Sequence, residues 1–314
     1  MSTIECYEPD FVRAFLSRSP GSPLHARKAW QHEVRHSLLL TEADCCETAL
    51  GDPHAFTLHV SECEAEAESL PLTRREQALN QAALNCVTLP GLPPEQRLYA
   101  LGIMLSYSEK LPGDSDQTLA QVASLPDVLE GYALDGELQA QFASLPPVLQ
   151  LQRQLITLLG SIGFDWQILP DSARKISLPL QVAMLSLQDA NSEALLQEQL
   201  QANWHRTHQQ YFAPQAWVFS NYLIYRLYHD MFPQHQGASV GQRYFELTTD
   251  FFLIRTLFSL WTLDGSPLNP AEIFATFALF ERWRLGDAAA ALRQQIQALL
   301  PGDVMLSAFS LLTP

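Results

Sequence analysis

His32-Glu33-Val34-Arg35-His36 has the order of the zinc-peptidase signature H-E-x-x-H. On a helix the two histidines would share a face and bind zinc through two nitrogens. Glu33 would then act as general base, with Glu62, Glu64 or another downstream acid as a further ligand. Chance also produces this pattern in a chain with nine histidines, and the residues around it are polar. The other ligand-type residues are five cysteines, Cys6, Cys45, Cys46, Cys63 and Cys86. Their odd number and the lack of any CxxC suit reduced thiols better than a disulfide framework or a metal site.

A third set is aromatic and basic. Residues 203–283 hold 19 of the 31 aromatic side chains, and Trp217, Phe219, Tyr222, Tyr225, Tyr228 and Phe232 fall on one predicted helix. Three- and four-residue spacing of this kind packs against neighbouring helices. Between 203 and 255 the chain also carries His205, Arg206, His208, Arg226, His229, Arg243 and Arg255, with Asp230, Glu246 and Asp250 as its acids. Tyrosines beside arginines in an acidic chain would suit a pocket for a polar small molecule. In that pocket Asn221 would offer both donor and acceptor, Tyr222 and Tyr225 would stack on a ring, and Arg226 or Arg255 would meet a carboxylate. The structural alternative makes Asn221 a helix-start residue, the tyrosines core, and the arginines ion-paired stems. Asp230, four residues after Arg226, is the expected partner. The sequence does not locate a proton acceptor; Tyr222, Tyr225 and Glu246 are groups from which one would have to come.

The elements that must hold these residues read as helical from about residue 70. Thr73 and Glu76 form a capping box ahead of the apolar stripe Leu79, Ala82, Ala83, Cys86. Pro93-Pro94 opens the next helix, Pro112-Gly113 closes it, and Asp114 or Ser115 caps its successor. Further helices are expected at about 134–144, 146–162, 176–189 and 192–211, then from Asn269-Pro270 to about Arg284 and again after Gly286-Asp287. Before residue 70, Glu42 to Leu50 reads as helix, Ala55 to Val60 as a short strand, and Glu62 to Glu68 as a solvated linker. The expected fold is all-α, a multi-helix globular bundle over 70–314 behind a short, less regular N-terminal segment over 1–69.

Composition narrows the function. The chain is 47% hydrophobic and 17% charged, which excludes disorder, and its net charge of −15 disfavours nucleic acid as a partner. Its longest apolar run, Phe251 to Leu263, is short for a membrane helix and contains Arg255. The acidic N-terminus carries no signal-peptide pattern, so a cytoplasmic protein is expected. No glycine-rich dinucleotide loop, P-loop or G-x-S-x-G elbow occurs.

Several segments, in order, resemble the bacterial flagellin lysine-N-methylases. Leu-Pro-Pro-Glu-Gln-Arg-Leu-Tyr-Ala-Leu-Gly (92–102) is similar to that family's central segment, and Asn221-Tyr222-Leu223 leading to Phe232-Pro233 to its N-Y-L…F-P segment. Cys46-Glu47-Thr48-Ala49 followed by Asp52-Pro53 resembles its Cys-Pro-Glu-Ala and Asp-Pro. The resemblance implies methyl transfer from S-adenosylmethionine to lysines of flagellin, in a cofactor pocket for which Asn221, Tyr222, Tyr225, Arg226 and Arg255 are the candidates. It also implies an N-terminal cysteine cluster holding an iron–sulfur or metal centre. Between Phe15 and His32, where the family pattern has several cysteines, there is none here. The cluster is therefore expected to be absent, and a catalytically inactive relative that binds flagellin or a complete methylase is the alternative. No catalytic residue follows from the resemblance.

Overall fold

Four short strands and two short helices share the first 64 residues. The computed structural model describes residues 3–30, 33–64, 71–187, 190–234, 237–300 and 302–313, without the side chains at 190 and 191. Its N-terminal elements are Thr3–Pro9 (β1), Asp10–Arg18 (α1), His25–Trp30 (β2), Glu33–Leu38 (β3), Ala43–Leu50 (α2) and Leu58–Glu64 (β4). The strands form one sheet in the order β2-β3-β1-β4, with β1 parallel to β3 and the two outer pairings antiparallel. This sheet corrects the all-α expectation: the chain is mostly helical with a small mixed sheet.

The register explains why the sheet was hidden. Cys6 lies opposite Val34, and Val34 opposite Ala29; with Ile4 and Cys63 these make the apolar face. Trp30, Glu33, Arg35 and Ser37 alternate onto the other face and are buried as well. Polar residues that look like a solvated stretch are thus one side of a strand covered on both sides. The expected strand at 55–60 starts only at Leu58, because Ala55 N bonds Asp52 O and Thr57 N bonds His54 O, turning the chain first. Of the expected acidic linker, Glu62 to Glu64 belongs to β4, and 65–68 lies outside the described residues.

The regular elements that follow are helical among the described residues. They are Arg74–Val87 (α3), Pro94–Ser108 (α4), Asp116–Leu134 (α5), Glu137–Ala143 (α6) and Leu149–Leu159 (α7). Then come Arg174–Met184 (α8), Ala190–Thr207 (α9), Trp217–His229 (α10) and Val240–Thr262 (α11). The last three are Pro270–Arg284 (α12), Asp287–Ala298 (α13) and Val304–Ser310 (α14). The start signals read as expected. Thr73 and Glu76 form the capping box of α3, Pro94 opens α4, Ser115 caps α5, and Asn269 caps α12 in a second box with Glu272.

Packing divides the chain into two compact units. One comprises Met1–Leu39, Thr48–Ser144 and Trp217–Tyr244; the other comprises Leu40–Glu47, Leu145–Ala216 and Phe245–Pro314. The first is built from the sheet, α3 to α6 and α10. In the second, Phe258 stacks edge-on against Phe212 and Phe277, and Trp283 packs against Phe164 and Phe280. The aromatic concentration at 203–283 is largely core: Tyr222, Tyr225, Tyr244, Phe245, Phe258, Trp261, Phe277 and Phe280 are fully buried. Among the described residues no helix is long and apolar enough to cross a membrane.

Candidate functional site

α10 gathers the segments that carry the resemblance. Its first residue, Trp217, donates from Nε1 to the Gly51 carbonyl at 3.1 Å. One turn on, Asn221 Nδ2 donates to the Asp52 carbonyl at 2.7 Å and the Ala49 carbonyl at 3.3 Å. The two side chains share a helix face and satisfy main-chain acceptors that the end of α2 leaves open. Ser220 accepts from Arg97 Nη1 of α4, and burial holds the Arg97 guanidinium below its ordinary pKa. Tyr244 donates to the Leu98 carbonyl at 2.7 Å. Segments 46–53 and 92–102 are therefore each bonded to α10.

The C-terminal half of α10 closes on the sheet. Tyr228 donates its hydroxyl to the Tyr7 carbonyl at 3.1 Å, and His229 Nδ1 lies 2.9 Å from Ser37 Oγ. Beyond the helix Met231 adopts a φ of 50°, a left-handed reversal unusual for its type, and the chain turns so that the Phe232 carbonyl points at Asn80. Asn80 Nδ2 donates to Phe232 O at 2.5 Å and Leu227 O at 3.2 Å, and its Oδ1 accepts from Arg35 Nη2 at 3.0 Å. Arg35 is also bonded to Glu33 at 2.5 Å and lies 4.9 Å from the ring centroids of both Trp30 and Tyr228. Burial raises the pKa of Tyr228, and raises that of Tyr244 well above its ordinary value, so both phenols keep their protons and donate hydrogen bonds to the Tyr7 and Leu98 carbonyls.

The sequence-selected pocket residues sit deep. Asn221, Tyr222, Tyr225 and Arg226 share α10 and are at most 5% exposed. Arg226 Nε meets Asp230 Oδ2 at 3.0 Å, the pairing expected from their spacing, and its Nη1 reaches the Tyr222 hydroxyl at 3.4 Å. Tyr225 stacks on His229 with centroids 4.8 Å apart. Arg255 belongs to the second unit, where it donates to the carbonyls of Leu312 at 3.3 Å and Thr313 at 3.1 Å. Glu246 is half-buried on α11.

The described residues of the H-E-x-x-H motif are not on a helix. Glu33 to His36 lie in β3, Glu33 is tied to Arg35, and His36 Nδ1 faces His25 Nε2 at 2.8 Å across the hairpin. His32 lies outside the described residues. The cysteines do not fit an iron–sulfur centre either. Cys45, Cys46 and Cys86 are wholly buried, and burial pushes Cys86 to about 12 and Cys46 well up. Among the described residues no three His, Cys, Asp or Glu side chains come together as metal ligands.

One cavity has no signal in the sequence. It measures about 460 Å³ in the second unit and is lined by Arg153 and Thr157 of α7, Glu193 of α9 and Leu299, among others. Polar residues four apart on amphipathic helices read as solvated faces; only the pairing of α7 with α9 makes them a wall.

A mostly helical chain whose signature segments meet around one buried helix is the class that fold and site define. A family model described as the FliB lysine N-methylase C-terminal domain matches residues 80–296. The chain belongs to that family, the flagellin lysine-N-methylases. Searches of curated proteins and of solved structures returned no match.

Proposed function

We propose that this protein methylates lysine side chains of a flagellin, taking the methyl group from S-adenosylmethionine. The observation that supports the reading is the family match over 80–296, within which Arg97 and Asn80 bond α10 and the turn that follows it. S-adenosylmethionine supplies an electrophilic methyl on a sulfonium. The sulfur–methyl bond breaks as the lone pair of a neutral lysine nitrogen forms the new nitrogen–carbon bond, giving methyl-lysine, S-adenosylhomocysteine and a proton. The chain's part is to bind both substrates and exclude water. No step runs through an iron–sulfur centre, because the cysteines do not fit one.

The second reading is a binding protein for flagellin or for a complete methylase. It draws support from the internal use of the selected donors: Asn221 on Ala49 and Asp52, Arg226 on Asp230, Arg255 on Leu312 and Thr313. One experiment separates the two. Purified protein is titrated with S-adenosylmethionine and then incubated with flagellin and methyl-labelled cofactor. Cofactor binding with label on flagellin lysines supports the methylase. Flagellin binding without cofactor uptake supports the binding protein, and neither result overturns both.

A further inference from the structure

Two polar rungs join α7 to α9. Arg153 Nε donates to Gln197 Oε1 at 2.8 Å, and the Thr157 hydroxyl, shared with its own helix, reaches Glu193 Oε1 at 3.2 Å. Positions 153 and 157 ascend as 197 and 193 descend, so the helices run antiparallel and the four side chains lie on facing stripes. The cavity of about 460 Å³ opens beside the rungs, with Arg153, Thr157 and Glu193 in its wall. Ligand pockets run from about 300 to 1,000 Å³, so a small metabolite fits.

The cation and the anion in this wall are each held by a neutral partner. Among the described residues Arg153 commits its Nε alone, and its two terminal nitrogens meet no protein acceptor. Glu193 accepts from one hydroxyl and forms no ion pair among the described residues. The guanidinium is braced from behind. Gln197 donates to Gln152 Oε1 at 2.6 Å, Gln201 donates to the same oxygen at 3.0 Å, and buried Gln152 donates to the Ser310 carbonyl at 2.8 Å. This relay fixes which way Gln197 presents its oxygen, and so how Arg153 enters the cavity. A braced guanidinium with two open terminal groups takes a carboxylate bidentately, and a carboxylate on one hydroxyl keeps lone pairs for an ammonium.

We infer that this cavity binds the zwitterionic head of an α-amino acid, its carboxylate on Arg153 and its ammonium on Glu193. Two ligands present that head: the methionine end of S-adenosylmethionine, and a free amino acid. Choosing the first rests on the methylase reading; the zwitterion site does not.

The test is calorimetric titration of the full chain with S-adenosylmethionine, its decarboxylated form, S-adenosylhomocysteine, methylthioadenosine, free methionine and free lysine. Loss of the ligand's carboxylate is expected to weaken binding about tenfold or more, the usual cost of a lost charge-assisted pair. Arg153→Gln should weaken S-adenosylhomocysteine by a similar factor and abolish the difference between ligands with and without the carboxylate. Glu193→Gln should weaken S-adenosylhomocysteine and leave methylthioadenosine unchanged. Because each ligand pair is compared on the same protein, a variant's lower stability does not imitate the result. Binding of free methionine or lysine through Arg153 and Glu193, without S-adenosylhomocysteine, keeps the zwitterion site and removes the methylase reading. Equal affinities with and without the carboxylate, or no zwitterion bound by the wild-type chain, overturn the inference even if flagellin is methylated.

Discussion

Asn80 spends its whole amide on partners far away in the chain, Arg35 on one side and the Leu227 and Phe232 carbonyls on the other. Asn80→Ala strands a buried guanidinium nitrogen and a main-chain acceptor together. A loss of about 2–4 kcal/mol is expected, read as a lower denaturant midpoint at unchanged slope. Glu281 and Arg284, both buried, form a bidentate pair on α12 with contacts of 2.6–2.9 Å. Glu281→Gln leaves the arginine charge without its carboxylate, and a cost of about 3–5 kcal/mol is expected in the same assay. The thiols give a third check at this scale. Alkylation of native protein at mildly alkaline pH should reach half-buried Cys63 first. Cys45, Cys46 and Cys86 should react only on unfolding, as mass spectrometry of the modified chain would show.

Among the elements, the helix starts were legible because each is written locally: Thr73 with Glu76, Pro94, Ser115, and Asn269 with Pro270 all act within one turn. The Arg226–Asp230 pair was legible for the same reason. The sheet was not, since Glu33, Arg35 and Ser37 face a buried polar network contributed by α3 and α10, which no local pattern announces. Nor was the role of Asn221, whose acceptors lie about 170 positions upstream. A tight helix approach was equally silent. A β-carbon at Gly160, the C-cap of α7, would stand 2.6 Å from Ser186 N and 2.9 Å from Val182 O. Gly160→Ala should therefore cost about 1–3 kcal/mol by overpacking, measurable by thermal melting.

For the whole molecule, charge and acid response are the readable quantities. A net charge of −15 suits a partner offering lysines, and on the proposed reading its association rate with flagellin should fall as salt rises. A rate indifferent to salt would remove electrostatic steering. Asp264 governs part of the acid response through its bond to buried Arg174. Desolvation, the largest single influence, raises its pKa. The Ser266 hydrogen bonds and the Arg174 charge together outweigh it and hold the carboxyl below the ordinary 3.8. A depressed folded-state pKa gives stability that is present above 3.8 and is lost as pH falls through the lower folded value. Wild type should therefore exceed Asp264→Asn in stability at neutral pH, and the gap should narrow on acidification below that range.

The Asn221 clamp on Ala49 and Asp52 has a consequence for descent. A relative that binds without catalysing would still need this clamp to fold, so Asn221 and the segments it binds report on the fold and not on the reaction. The signature that marks a working methylase would mark its retired cousin equally well.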